Sequence, residues 1–176
     1  MSGALACALM LKAVKLLVKQ KDHEKDIQTL KELQTQLEVA QETFSALSRI
    51  DSEAYQEVSN TDKIQAQDEK QKQDTTEDSP LKATELPLKV MAHVVEYAPI
   101  QDKLLMYTSH SLLGDVQLAT LLLNVAFESA KKNIIYNLKS ISTNQQAILM
   151  QIKVEEMSQQ WSYFFRSFNQ KEKDAN

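Results

Sequence analysis

Leu30, Leu33, Leu37, Ala40, Phe44 and Leu47 follow one another in alternating steps of three and four residues, a heptad-like seam that predicts one long helix over about 21–60. Gln, Glu, Lys and Thr fill the other faces, and Ile50, Ala54, Tyr55 and Val58 extend the apolar stripe past Asp51. Before it, residues 2–19 mix small and large apolar side chains, with Lys12, Lys15 and Lys19 recurring at helical spacing along a wetter face. Residues 61–78 read differently. Ile64 and Ala66 are the apolar residues there, and six acids against three bases leave the stretch at −3. It cannot bury enough surface to offset its ordering entropy, which predicts a mobile loop or a frayed helical extension inside one domain spanning 1–176.

The second half is helical again. Ser79-Pro80 reads as an N-cap followed by Pro at the first helical position. Pro87 then kinks or restarts the helix, and Pro99 opens another short one. Residues 109–114 read as a connection, and Asp115 starts a strongly apolar helix through Leu118, Leu121, Leu122, Val125, Ala126, Ile134, Ile135 and Leu138. After a break at 140–144, the last helix runs over about 145–168 with Ile148, Ile152, Met157, Trp161, Phe164, Phe165 and Phe168. The expected fold is all-α, an up-and-down bundle of long antiparallel helices. Two Gly and three Pro in 176 residues agree, because sheet folds need many tight turns and long helices do not.

Composition removes several functions. A net charge of −4 offers no positive field for nucleic acid. One cysteine, Cys7, excludes an intramolecular disulfide and fits a cytoplasmic, reducing compartment. No basic region precedes the apolar start, and the lysines that follow interrupt it, so neither a signal peptide nor a membrane span is expected. With only Gly3 and Gly114 there is no phosphate-binding loop. One Cys and three scattered His cannot build a standard structural zinc site. His93-Val94-Val95-Glu96 reverses the order that di-iron bundles use and occurs once, so His93 reads as a surface or half-buried histidine.

Three stretches go beyond composition. They are Ser-Arg-Ile-Asp-Ser-Glu-Ala-Tyr (48–55), Ala-Thr-Glu-Leu-Pro-Leu (83–88), and Gly-Asp-Val-Gln-Leu-Ala (114–119) followed by Asn-Ile-Ile-Tyr-Asn-Leu (133–138). In order and spacing they resemble the Asp-Ala-x-Ala-Phe, Ala-Thr-x-x-Pro-Leu, Ser-Asp-x-x-x-Ala and Asn-x-x-x-Asn-Leu elements of the cyclodeaminase/cyclohydrolase family of folate enzymes. The resemblance covers nearly the whole chain. It implies a helical bundle that dimerises and acts on a carbon–nitrogen bond of formimino- or methenyl-tetrahydrofolate, with the reduced folate as substrate and no separate cofactor or metal. The motifs do not distinguish the two one-carbon groups.

Making or breaking that bond requires a nitrogen to gain or lose a proton, which a positioned carboxylate can manage. Asp51 falls where the family carries its proposed catalytic aspartate; at the edge of an apolar stripe, partial burial would raise its pKa into a useful range, whereas on the outer surface it would be a solvated carboxylate. Asp115 matches a second family acid and equally reads as an N-cap after Gly114. Gln117, Asn133 and Asn137 are polar residues on an apolar helix, able to read the edge of a pterin or to bond one another in the core. Lys131 and Lys132 could meet folate's carboxylates or simply lie at the surface. The reading therefore places substrate near Asp51 and one polar face made of Asp115, Gln117, Asn133 and Asn137.

The chain departs from the family in places. The family's Pro-Gly-Gly-Gly-Ser loop would lie before Ser2, its Asn-Leu-Thr-x-Gly stretch is replaced by Lys15-Leu16-Leu17-Val18-Lys19, and Gly114 stands for the Ser of Ser-Asp. Either a longer N-terminus exists or this is a divergent relative with weakened activity. The alternative to an enzyme is a catalytically inactive helical dimer that keeps the fold as an interaction module.

Overall fold

A computed structural model describes residues 2–20, 25–65 and 78–174, with the side chains of 2–20, 25–53 and 80–171. Five α-helices and no strand occur among the described residues: α1 Ser2–Leu17, α2 Ile27–Gln65, α3 Asp78–Tyr107, α4 His110–Leu138 and α5 Gln145–Asp174, with a 3-10 turn at Lys139–Ile141 before α5. The predicted all-α bundle is the observed fold. Of the mobile loop or helical extension expected over 61–78, residues 61–65 extend α2, Asp78 opens α3 one residue before the expected cap, and 66–77 lie outside the described residues.

Every residue of the α2 seam from Leu30 to Leu47 is buried, and it faces a core filled from α1 by Met10, Val14 and Leu17 and from α4 by Leu123, Phe127 and Ile134. Ile50 is exposed, so the seam does not continue through it. Side-chain contacts give the directions. Lys15 meets Glu38 at 3.9 Å and Lys12 meets Asp115 at 2.8 Å, while the N-terminal end of α1 lies beside Phe44 and Ala126; α1 thus runs antiparallel to both α2 and α4. Gln101–Thr120 and Ala83–Asn137 pair α3 antiparallel with α4. Thr84–Met150 and Asp102–Lys171 set α5 parallel to α3.

Two boundaries are corrected. Pro99 does not open a new helix; like Pro87, expected within the helix as a kink or restart, it lies inside the continuous α3. Each proline removes one helical hydrogen bond, while Met91, Val94, Ala98, Ile100 and Leu104 keep the helix buried from between the two prolines to beyond Pro99. The connection before α4 is only Thr108–Ser109, since Leu112 and Leu113 are already buried and draw an extra turn into the helix; Asp115 is therefore not its N-cap. Finally, the segment His110–Ile141 is long and apolar enough to cross a membrane, where the sequence reading found no such span. Part of this apolar surface packs against α1, α3 and α5, while Leu118, Leu121, Val125 and Ile135 stay exposed.

Trp161 locks α5 to α4: its indole N–H donates to Asn124 Oδ1 at 2.9 Å and its ring stacks on Phe127 and Phe164. The expected aromatic stripe is thus core, whereas Ile148 and Ile152 are exposed.

Candidate active site

The turns of α2 beyond Phe44 build one wall of a cavity of about 260 Å³. Counting on from Leu47, the next step of four is Asp51, so the carboxylate occupies the position where the three-and-four rhythm calls for another apolar residue. Phe44, Leu47, Ser48 and Asp51 line the cavity from α2; Ser2 and Gly3 from α1; Leu86, Pro87 and Val90 from α3; Ala126, Ser129, Ala130 and Asn133 from α4. Apolar walls thus carry five polar residues, Ser2, Ser48, Asp51, Ser129 and Asn133. Asp51 is exposed at the mouth rather than half-buried.

Gly3 sets the shape of the floor. A Cβ there would lie 2.6 Å from Phe44 Cδ1, so the phenyl ring occupies the volume that any other residue would need. Behind that ring lie His93 and Tyr97, edge-on to Phe44 at 6.4 Å and tilted at 6.1 Å, and stacked on each other at 5.9 Å. His93 Nδ1 is 2.8 Å from Glu96 Oε2, the half-buried environment expected for it. Burial pushes the Tyr97 phenol up, with a hydrogen bond to Thr43 opposing it. Cys7 is fully buried and its thiol is pushed up to about 12 by desolvation, so it supplies no thiolate near neutral pH. Among the described residues, no group of three or more His, Cys, Asp or Glu is gathered for a metal.

Asp51 and Asn133 are brought together at the cavity. The remaining expected residues are not. Asp115 is 18 residues from Asn133 on α4, about 27 Å at the helical rise, and is paired with Lys12. Gln117, 16 residues away, lies about 24 Å along the same helix. The residues Asp115, Gln117, Asn133 and Asn137, expected to form one polar face beside the substrate, do not share one site, because 22 residues of the continuous α4 separate the ends of the set. Asn137 Nδ2 donates to Ala83 O at 3.3 Å, outside the cavity, and Lys131 and Lys132 are not among the lining residues. Ser48 and Ser129 were not anticipated. Their spacing was the available signal: Ser48 stands three residues before Asp51 and Ser129 four before Asn133, one helical turn in each case.

A formiminotransferase-cyclodeaminase family model matches residues 1–156. Among solved structures, the fold is similar to that of a formiminotetrahydrofolate cyclodeaminase from Thermotoga maritima, with a TM-score of 0.79 and 23% sequence identity over 96% of this chain and 82% of that one. No curated protein matches the chain.

Proposed function

The chain belongs to the formiminotransferase-cyclodeaminase family, and from that premise we propose that the cavity between α1, α2, α3 and α4 carries out a cyclodeaminase-type reaction on a formimino-tetrahydrofolate. One folate nitrogen adds to the formimino carbon and sheds a proton; the amino nitrogen of the tetrahedral carbon gains one and leaves as ammonia. Asp51 is the proton carrier in this reading, and Asn133 on the facing wall orients the pterin by hydrogen bonding. The observation that carries it is the position of Asp51: an acid at a seam position, facing a cavity of mixed apolar and polar lining with a polar amide on another wall. A ring system with apolar faces and hydrogen-bonding edges suits a lining that mixes both.

Asp51→Asn keeps size and polarity but cannot exchange a proton near neutral pH. It should lower turnover by roughly 10²-fold or more, with stability little changed because Asp51 is exposed. Turnover equal to that of the parent would remove Asp51 from the mechanism.

The protein acts as a homodimer in this proposal. Leu118, Leu121 and Val125 are 49%, 52% and 56% exposed on the outer face of α4, and Leu5 and Leu16 are exposed on α1, the helix that the Lys12–Asp115 pair joins to it. So much bare apolar surface on two adjoining helices is what a second copy would cover. The same face favours a second reading, an inactive dimer kept as an interaction module. That reading requires dimerisation without turnover of either formimino- or methenyl-tetrahydrofolate.

A further inference from the structure

Pro87 lies inside α3 and has no N–H, so the carbonyl four residues earlier, that of Ala83, has no helical donor. Asn137 of α4 supplies one: its Nδ2 lies 3.3 Å from Ala83 O. Only the amide nitrogen can donate to a carbonyl, which settles the side-chain orientation. The antiparallel register that sets Ala83 opposite Asn137 sets Pro87 opposite Asn133 one turn further on, and both of those line the cavity. The two asparagines of the Asn-x-x-x-Asn stretch therefore differ in task. Asn133 faces the cavity, whereas Asn137 lies outside it, at the carbonyl that the proline orphans.

We propose that Asn137 is a positioning residue for this cavity: by capping the Ala83 carbonyl it holds the proline turn of α3 against α4, and with it the wall made by Leu86, Pro87 and Val90. Ala83 is exposed and Asn137 half-buried, so without the cap the carbonyl would turn outward to water and draw the proline turn away from α4. The proposal rests on the folate reading only for its effect on turnover; the coupling between Asn137 and Pro87 is a property of the fold.

A double-mutant cycle tests it. In Pro87→Ala the restored N–H at position 87 can reach the Ala83 carbonyl, so Asn137 loses its task. Thermal unfolding of the parent chain, Asn137→Ala, Pro87→Ala and the double variant should show Asn137→Ala lowering Tm by roughly 2–4 °C with Pro87 present, and by less than half of that with Ala at 87. Equal losses in the two backgrounds would overturn the proposal. If Pro87→Ala does not fold, the ¹³C shift of the Ala83 carbonyl decides: an upfield move in Asn137→Ala supports the cap, and an unchanged shift overturns it. With formimino-tetrahydrofolate, Asn137→Ala should raise KM several-fold at a kcat within about two-fold of the parent; an equal fall in kcat and kcat/KM would place Asn137 at the reacting atoms instead. A parent chain without turnover would count against the folate reading alone, and the melting cycle would still decide the cap.

Discussion

Gly3 and Phe44 show how one missing Cβ shapes the cavity. With the ring 2.6 Å from where the atom would stand, and His93 and Tyr97 closing the space behind it, Gly3→Ala must displace the phenyl group. Overpacking of this kind costs about 1–3 kcal/mol, more than the roughly 1 kcal/mol by which alanine favours a helix over glycine. Thermal unfolding should therefore show a lower Tm for Gly3→Ala; an equal or higher Tm would mean that the ring has room to move. Cys7 gives a pH dependence. Its thiol rises from 9.0 to about 12 on folding, so between those values the unfolded chain has released a proton that the folded chain keeps. Stability should fall as pH rises through this window, and denaturant titrations at pH 8 and pH 11 should show a smaller fall in Cys7→Ala. Asp51 was legible because an acid interrupts an apolar stripe inside a recognisable stretch. The Gly3–Phe44 contact was not, since it depends on how closely α1 and α2 approach, a distance that no residue spacing encodes.

Among the elements, α2 was the most legible, because six buried seam residues leave one phase for the helix. The start of α4 was misread for the opposite reason. Gly114 and Asp115 have the local chemistry of a cap, but Leu112 and Leu113 bury themselves and move the boundary upstream to Ser109. Pro99 misled in the same direction, as tertiary packing keeps α3 whole. The cap of α5 follows the local rule instead. Asn144 Oδ1 accepts from the Gln146 N–H at 2.8 Å and from the Ala147 N–H at 3.3 Å, so the break expected at 140–144 ends in a true N-cap. Asn144→Ala should cost about 1 kcal/mol, measured by urea unfolding; no change in the midpoint would show that the two N–H groups are as well served by water.

For the whole molecule, the apolar faces of α1 and α4 set the expectation. Light scattering at tens of micromolar protein should give twice the chain mass of 20.0 kDa, and Val125→Glu, placing a charge on the bare face, should return the chain to a monomer. A monomeric parent would refute the dimer. Sequence pattern conveyed the class of fold and the number of long helices, yet not which side chains share a cavity, because that requires the register between helices far apart in the chain. The set drawn from Asp115 to Asn137 failed for a simpler reason: all four residues lie on one helix, and the 22-residue spacing between its ends already set them too far apart for one site. The cavity itself joins Ser2 to Asn133. In kinetic terms, a site whose walls are separated by so much chain has a high loop-closure entropy and is among the last features to assemble. Helical content, and the local pairing of α1 with α2, can return before that pair has docked on α4, so recovered activity, rather than recovered helicity, is the sign that refolding is complete.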